Sequence, residues 1–208
     1  MSEKEMSDFL LLLEEHLPFY DVLILSDYGK GLISKDMVNG MAAIQNRHGR
    51  AETKILVDPK SPNFDVYGDM YIMTPNTKET GEAAGMPVHS KEDIIRAGKT
   101  IMGKYGCRHL LSTLGPDGMA LFESPDEIRH IPTMAKSVYD VTGAGDTVMA
   151  TLALCLAAKL PLLESCLLAN SAAGIVVGKV GAATVTREEL AKSLSSQSEI
   201  HVRSWRRA

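Results

Sequence analysis

The sequence predicts an α/β fold with a mostly parallel sheet. Short, continuous apolar runs such as residues 21–26 and 54–57 are typical of strands buried on both faces. These runs alternate with segments of helical period, and polar loops follow them. In open α/β sheets, ligands bind beyond the carboxyl ends of the strands, so these loops are candidate walls of a site.

The elements follow one another with clear start and stop signals. An apolar face over Phe9–Leu13 predicts a first helix, which Pro18 ends, and Ser34 is expected to cap a second. Gly115–Gly118 is a turn between two strands. The predicted strands are residues 21–26, 54–57, 70–73, 109–112, 119–122 and 128–131.

Capping patterns predict the remaining helices. Asn76 and Glu79 form a capping-box pair at the start of a helix that runs to Ala84, and Thr186 begins a similar one. Ser90 caps a helix that Gly106 ends, and Pro161 starts another apolar helix after the one that follows Asp146. We expect one domain over residues 1–192 and a frayed polar tail over residues 193–208, with basic Arg203, Arg206 and Arg207.

Composition excludes several classes of protein. The 208 residues are 45% hydrophobic and 23% charged, enough for a sizeable core, and the net charge of −4 predicts no general affinity for nucleic acid or anionic membranes. No apolar run approaches the ~20 residues of a membrane span, and the acidic start does not resemble a signal peptide. We therefore expect a cytoplasmic protein. The cysteines, expected to be reduced core thiols, are Cys107, Cys155 and Cys166.

The stretch Asp140–Thr147 carries the most chemistry. It reads Asp-Val-Thr-Gly-Ala-Gly-Asp-Thr and leads directly into an apolar helix. Small residues at a helix N-terminus offer backbone N–H groups to an anion. Asp146 has two interpretations on chemistry alone: an acid favoured by the helix dipole, or a base held beside a bound anion.

This stretch resembles the signature of the ribokinase-like (PfkB) sugar kinases, an ATP-dependent family. The resemblance implies a three-layer α/β/α fold. It also implies that Asp146 takes the proton from the acceptor hydroxyl, while the amides of Gly143, Ala144 and Gly145 bind the transferring phosphoryl group. Phosphoryl transfer depends mainly on such positioning and on donors aimed at developing charge.

The same resemblance assigns further residues. Asn76 and Glu79 match the family motif that organises Mg²⁺, directly or through water. Asp140 and Thr142 are candidates for a K⁺ site, which the family forms with the loop after the second apolar helix. The residues implied for the nucleotide are Thr113, Gly115, Gly118 and Asn170.

One branch of the family is the most similar, the D-glycero-β-D-manno-heptose-7-phosphate kinases. The resemblance covers residues 10–190 and includes the stretches 26–31 and 58–60. It implies transfer of the ATP γ-phosphate to the anomeric hydroxyl of a sugar phosphate. Asp27 and Lys30 are then substrate-side candidates, and Lys60 a nucleotide-side candidate. Either lysine would suit a phosphate of the sugar or of ATP.

The chain departs from the family at its beginning, because the Gly-rich, sugar-binding strands and lid of the family do not precede Ser2. We expect an exposed sheet edge, covered by a second copy or by a chain that supplies the missing strands. Three hypotheses follow: a heptose-phosphate kinase, a kinase of another sugar or sugar phosphate, or a non-catalytic nucleotide-binding module.

Overall fold

The computed structural model describes residues 2–47, 53–61, 63–68, 70–135, 137–196 and 201–205. Within them, seven strands form one sheet in the order of the sequence. The strands are β1 (Val22–Ser26), β2 (Lys54–Asp58), β3 (Ile72–Met73), β4 (His109–Thr113), β5 (Met119–Phe122), β6 (Ile128–Ile131) and β7 (Arg203–Ser204). Strands β1 to β4 are mutually parallel, and β5 to β7 are antiparallel.

Helices cover both faces of the sheet, as predicted. They are α1 (Glu3–His16), α2 (Lys35–Arg47), α3 (Phe64–Tyr67), α4 (Thr77–Ala84), α5 (Lys91–Tyr105), α6 (Ala144–Ala157), α7 (Leu162–Val176) and α8 (Arg187–Ser195). Alternate strand residues serve the two faces: Ile55 and Val57 pack with α2 and α5, whereas Leu56 packs with α6 and α7. This alternation produces three layers.

Local signals place the helix ends where the sequence predicts them. The Asn76 side chain accepts from the Glu79 amide at 3.0 Å, and Ser90 and Thr186 cap α5 and α8 in the same way. Glycines in the left-handed conformation end α4 and α5. None of the helices in the described ranges is long and apolar enough to cross a membrane.

The two edges of the sheet differ. Strand β1 lies at one edge, where Ile24 is 38% exposed, as expected for an edge that the chain does not cover. At the other edge, residues 203–204 form β7 against β6, so this part of the predicted frayed tail is an ordered strand. Arg206 and Arg207 lie outside the described residues. All three cysteines are free; Cys107 and Cys166 are buried and Cys155 is half-buried.

Candidate active site

A cleft of about 400 Å³ opens at the carboxyl end of the parallel strands. The turn after β4 and the start of α4 form one side, and α6 and α7 form the other. The cleft brings together seven of the predicted residues, which are Asn76, Thr113, Gly115, Gly118, Ala144, Gly145 and Asn170. Its size and its apolar walls with a few polar groups are those of a small-molecule site.

Gly118 is required by the shape of the β4–β5 turn. Its φ is +89°, and a Cβ atom there would lie 2.1 Å from the carbonyl oxygen of Ile131. No other residue fits that position without moving the backbone. The turn therefore lies close against the end of β6, and both segments line the cleft.

Asn170 reaches the cleft wall from α7. It is 4% exposed, and its Nδ2 donates to the carbonyl oxygen of Pro132 at 2.7 Å. Asn170 thus holds the segment after β6 in place, in addition to lining the cleft.

The start of α6 presents backbone donors beside the cleft. Gly143 is the N-cap residue, with φ +78°, and within the described residues the amides of Gly143, Gly145 and Asp146 have no hydrogen-bond partner. The Ala144 amide donates to Val141 O at 3.1 Å. Of the three amides expected to bind the phosphoryl group, two are thus available, and the Asp146 amide provides a third donor.

Asp146 lies between the cleft and a second group of charged residues. Its side chain is exposed and has no hydrogen-bond partner among the described residues. The preceding residue, Gly145, lines the cleft, and the Asp146 charge also acts on Asp58 at the end of β2. Both results fit a base at the mouth of the site rather than a buried structural acid.

Asp58 is the centre of this charged group, and the sequence analysis did not assign it a role. Burial, and after it the nearby negative charge of Glu79, raise the pKa of Asp58 to about 6. The Lys60 ammonium opposes this rise. Asp58 directly follows the predicted strand 54–57, as Asp27 follows the predicted strand 21–26, and that position would have identified it.

Glu79 uses both carboxylate oxygens within the protein. Oε1 accepts from Lys60 Nζ at 2.6 Å, and Oε2 accepts from the Asn76 amide at 3.0 Å. The hydrogen bond to Glu79 raises the pKa of Lys60. Lys60 therefore points towards the predicted metal-side pair, and the helix cap and the charged site share Glu79.

Asp27 is almost fully enclosed. Its Oδ1 accepts from the Gly29 amide at 2.7 Å, and its Oδ2 accepts from Asn63 Nδ2 and from the Tyr67 hydroxyl. Burial raises its pKa, but these hydrogen bonds outweigh burial and hold the pKa below its usual value. Asp27 thus fixes the loop after β1, whereas Lys30 is exposed with no ion pair among the described residues.

Asp140 joins the segment before α6 to the loop after α7. One carboxylate oxygen accepts from the Thr142 amide at 2.9 Å and the other from the Gly181 amide at 3.1 Å. These bonds hold the pKa of Asp140 below its usual value. Asp140 thus brings the two segments expected to form a K⁺ site next to each other.

Residues 3–189 match the model of the pfkB family carbohydrate kinases. The chain belongs to this family. It is 43% identical over 183 residues to the bifunctional protein HldE of Trichlorobacter lovleyi, a match that covers 88% of this chain and 37% of that protein. The chain therefore spans less than half the length of such curated relatives.

Solved structures share the fold. Phosphofructokinase-2 from Escherichia coli in complex with potassium has a TM-score of 0.79 at 16% identity, and covers 94% of this chain and 62% of its own. Arabidopsis thaliana ribokinase complexed with ribose and ATP has a TM-score of 0.73 at 25% identity, and the match covers 95% of this chain and 60% of the ribokinase chain. These matches confirm the predicted three-layer, ribokinase-like fold.

Proposed function

We propose that this chain is the catalytic, ATP-binding part of a sugar kinase that phosphorylates a sugar phosphate. The observation that carries the proposal is the position of Asp146 beside the free amides of Gly143 and Gly145, at the boundary between the cleft and the charged group. A base and anion donors in this arrangement are what phosphoryl transfer to a hydroxyl requires.

In the proposed reaction, Asp146 accepts the proton of the acceptor hydroxyl as that oxygen forms a bond to the γ-phosphorus of ATP. The bond from the γ-phosphorus to the bridging oxygen breaks, and ADP leaves with that oxygen. The amides of Gly143, Gly145 and Asp146 donate to the equatorial oxygens of the transferring group, where charge is greatest. The apolar walls of the cleft, including Val141 and Val148, exclude water from it.

The side-chain oxygens of this region fit a Mg²⁺ ion whose other ligands are mostly water and phosphate oxygens. In the described ranges, no group of three or more His, Cys, Asp or Glu side chains is arranged to hold a metal ion. Asp58 and Asp146 offer carboxylate oxygens, and the charge of Glu79, which is bonded to the Asn76 amide, acts on Asp58. A bound Mg²⁺ would neutralise charge on the phosphates. A K⁺ ion would lie near Asp140 and Thr142.

We propose D-glycero-D-manno-heptose 7-phosphate as the acceptor, phosphorylated on its anomeric hydroxyl. The proposal is supported by the similarity of residues 26–31 and 58–60 to the heptose-phosphate branch and by the 43% identity to a bifunctional protein HldE. Lys30, exposed on the loop that Asp27 fixes, is the proposed partner of the sugar phosphate.

A second candidate is a nucleotide-binding module that needs another chain for activity. The exposed β1 edge favours it, since Ile24 on β1 and Leu154 on α6 are 38% and 73% exposed. We propose that a second copy, or a polypeptide that supplies further strands, covers this edge.

Turnover of a panel of sugars and sugar phosphates tests the proposal. The heptose-phosphate kinase is expected to act on heptose 7-phosphate far faster than on fructose 1-phosphate or ribose. Robust activity on ribose alone would contradict this substrate. Calorimetry with Mg-ATP and with the sugar phosphate tests the module, because nucleotide binding without sugar binding or turnover would favour it.

A further inference from the structure

His130 lies directly behind the turn that lines the cleft. The 3-10 turn Gly115–Asp117 and Gly118 connect β4 to β5, and Gly115, Pro116 and Gly118 face the cleft. Asp117 is not among the lining residues, and its carbonyl oxygen lies 2.7 Å from His130 Nε2. Because a carbonyl oxygen only accepts hydrogen bonds, His130 Nε2 must carry a hydrogen and donate it.

Among the described residues, this is the one side-chain hydrogen bond that reaches the turn from another strand. In the described part of the chain, the other hydrogen bonds of Gly115–Gly118 stay within the β4–β5 connection, such as Gly118 N to Gly115 O at 3.1 Å. His130 Nδ1 is buried and has no hydrogen-bond partner there. The imidazole therefore makes a single directed contact, and that contact is with the turn.

Trp205 holds the imidazole in this orientation. Its ring stacks on His130 with centroids 4.7 Å apart and planes 6° from parallel. The Trp205 amide donates to Ile128 O at 2.8 Å, and Lys91 Nζ lies 5.6 Å from the centre of its ring. Trp205 is thus fixed to β6 and to the start of α5, and it covers the face of His130.

We propose that His130 is a positioning residue for nucleotide binding, and that Trp205 supports it. The inference rests on the proposed function, because it takes the cleft to be the nucleotide site. The His130 bond fixes the position of the β4–β5 turn relative to β6. This position sets the width of the cleft between Gly115–Gly118 and the start of α6. Without the bond, only the packing of Gly118 and the backbone hydrogen bonds of the turn hold it, and nucleotide binding then has to order the Asp117 carbonyl group further.

Calorimetric titration with Mg-ADP and a non-hydrolysable Mg-ATP analogue tests the inference. His130→Leu removes the donor but keeps an apolar group, and we expect about three- to tenfold weaker nucleotide binding, as for one lost hydrogen bond. His130→Gln keeps an N–H donor at similar reach and is expected to bind within about twofold of the wild type. The exposed His89→Leu is the control, expected to bind like the wild type.

The outcomes separate the inference from the proposed function. Wild-type-like binding by His130→Leu, or an equal loss in His130→Gln, would overturn the inference and leave the proposed function standing. Absence of nucleotide binding by the wild-type chain would overturn both. Trp205→Leu is expected to weaken binding less than His130→Leu does, because the His130 donor remains. The thermal unfolding of each variant is measured beside the titration, so that a folding defect is distinguished from a loss of the donor.

Discussion

The two walls of the candidate site differ in how completely this chain builds them. On the nucleotide side, Gly118 is closely packed against β6, and Asn170 bonds to Pro132 O. On the acceptor side, Tyr28 and Leu32 are 68% and 58% exposed in the loop after β1. The proposed nucleotide wall is thus held by contacts within this chain, whereas the proposed acceptor wall is anchored at Asp27 and open beyond it.

Under the proposed function, this difference means that nucleotide binding and sugar binding depend on different parts of the protein. The proposed nucleotide wall is built from the start of α4 and from elements between β4 and α7. The acceptor wall adjoins the β1 edge, where we propose that another polypeptide binds. Changes on the nucleotide side are therefore expected to affect folding and nucleotide affinity together, and changes on the acceptor side to affect sugar binding with little effect on stability.

Asp146 lies where the two walls meet, and its substitution has the largest expected effect. Asp146→Asn should lower kcat by about 10²- to 10⁴-fold, the usual contribution of a general base, and leave nucleotide affinity within about twofold. Steady-state turnover and calorimetry measure the two effects. Asp36→Asn, a first-turn acid of α2, is the control. Near-normal kcat in Asp146→Asn would make Asp146 a helix-terminal acid only.

The nucleotide wall is most sensitive at Gly118. Gly118→Ala places a methyl group where Ile131 O, Thr133 N and the φ of +89° leave no room. We expect a loss of more than about 2 kcal/mol in the free energy of unfolding, measured by urea titration, and loss of nucleotide binding. Gly103→Ala in α5 has open space around it and should be neutral or slightly stabilising. A stable, nucleotide-binding Gly118→Ala would show that the turn is not closely packed.

Much of this wall could be predicted from the sequence, since local signals specify it. Strand and helix periodicity predicted the sheet, and Asn76 with Glu79 predicted the start of α4. The roles of His130 and Trp205 could not be predicted, because each depends on neighbours distant in the chain, whereas the position of Asp58 after a predicted strand could have identified it. The segment that forms β7 was predicted to be part of a frayed tail. Its polar sequence gives no strand signal of its own, and it becomes a strand because it pairs with the edge of β6. The Ala144 amide was predicted to be free for an anion, and this was wrong. It donates to Val141 O, a bond that depends on the turn before α6 and leaves no signal in the sequence.

Glu79 is expected to have a smaller effect than Gly118, and an effect specific to Mg²⁺. Glu79→Ala removes a capping bond and the ion pair to Lys60, so we expect a higher Mg²⁺ concentration for half-maximal turnover. Asp93→Ala removes the same capping bond from α5, away from the site. Both should lose about 1 kcal/mol of stability. An unchanged Mg²⁺ titration in Glu79→Ala would remove this residue from the metal site.

Asp58 predicts a dependence of stability on pH. Its pKa of about 6 in the folded state lies above the unfolded value, so the folded state holds the proton more tightly. Stability from this group is present at low pH and is lost as pH rises from about 4 through 6. Asp58→Asn should match the wild type near pH 4 and exceed it by on the order of 1–2 kcal/mol at pH 7.5. Asp8→Asn, at an exposed position, should show no such difference. A stability difference between Asp58→Asn and the wild type that stays constant from pH 4 to 7.5 would contradict the raised pKa of Asp58.

On the acceptor wall, Lys30 should have the smallest effect on the fold and a selective effect on the sugar. Lys30→Ala removes an exposed charge that has no ion pair in the described structure. The free energy of unfolding should therefore change by less than about 0.5 kcal/mol. The KM for the sugar phosphate should rise several-fold while the KM for ATP stays constant, because an ammonium group binds phosphate as a point charge. Lys35→Ala, five residues further along, is the matched control. Equal kinetics for both variants would move the phosphate site to Lys60 or to the polypeptide that covers β1.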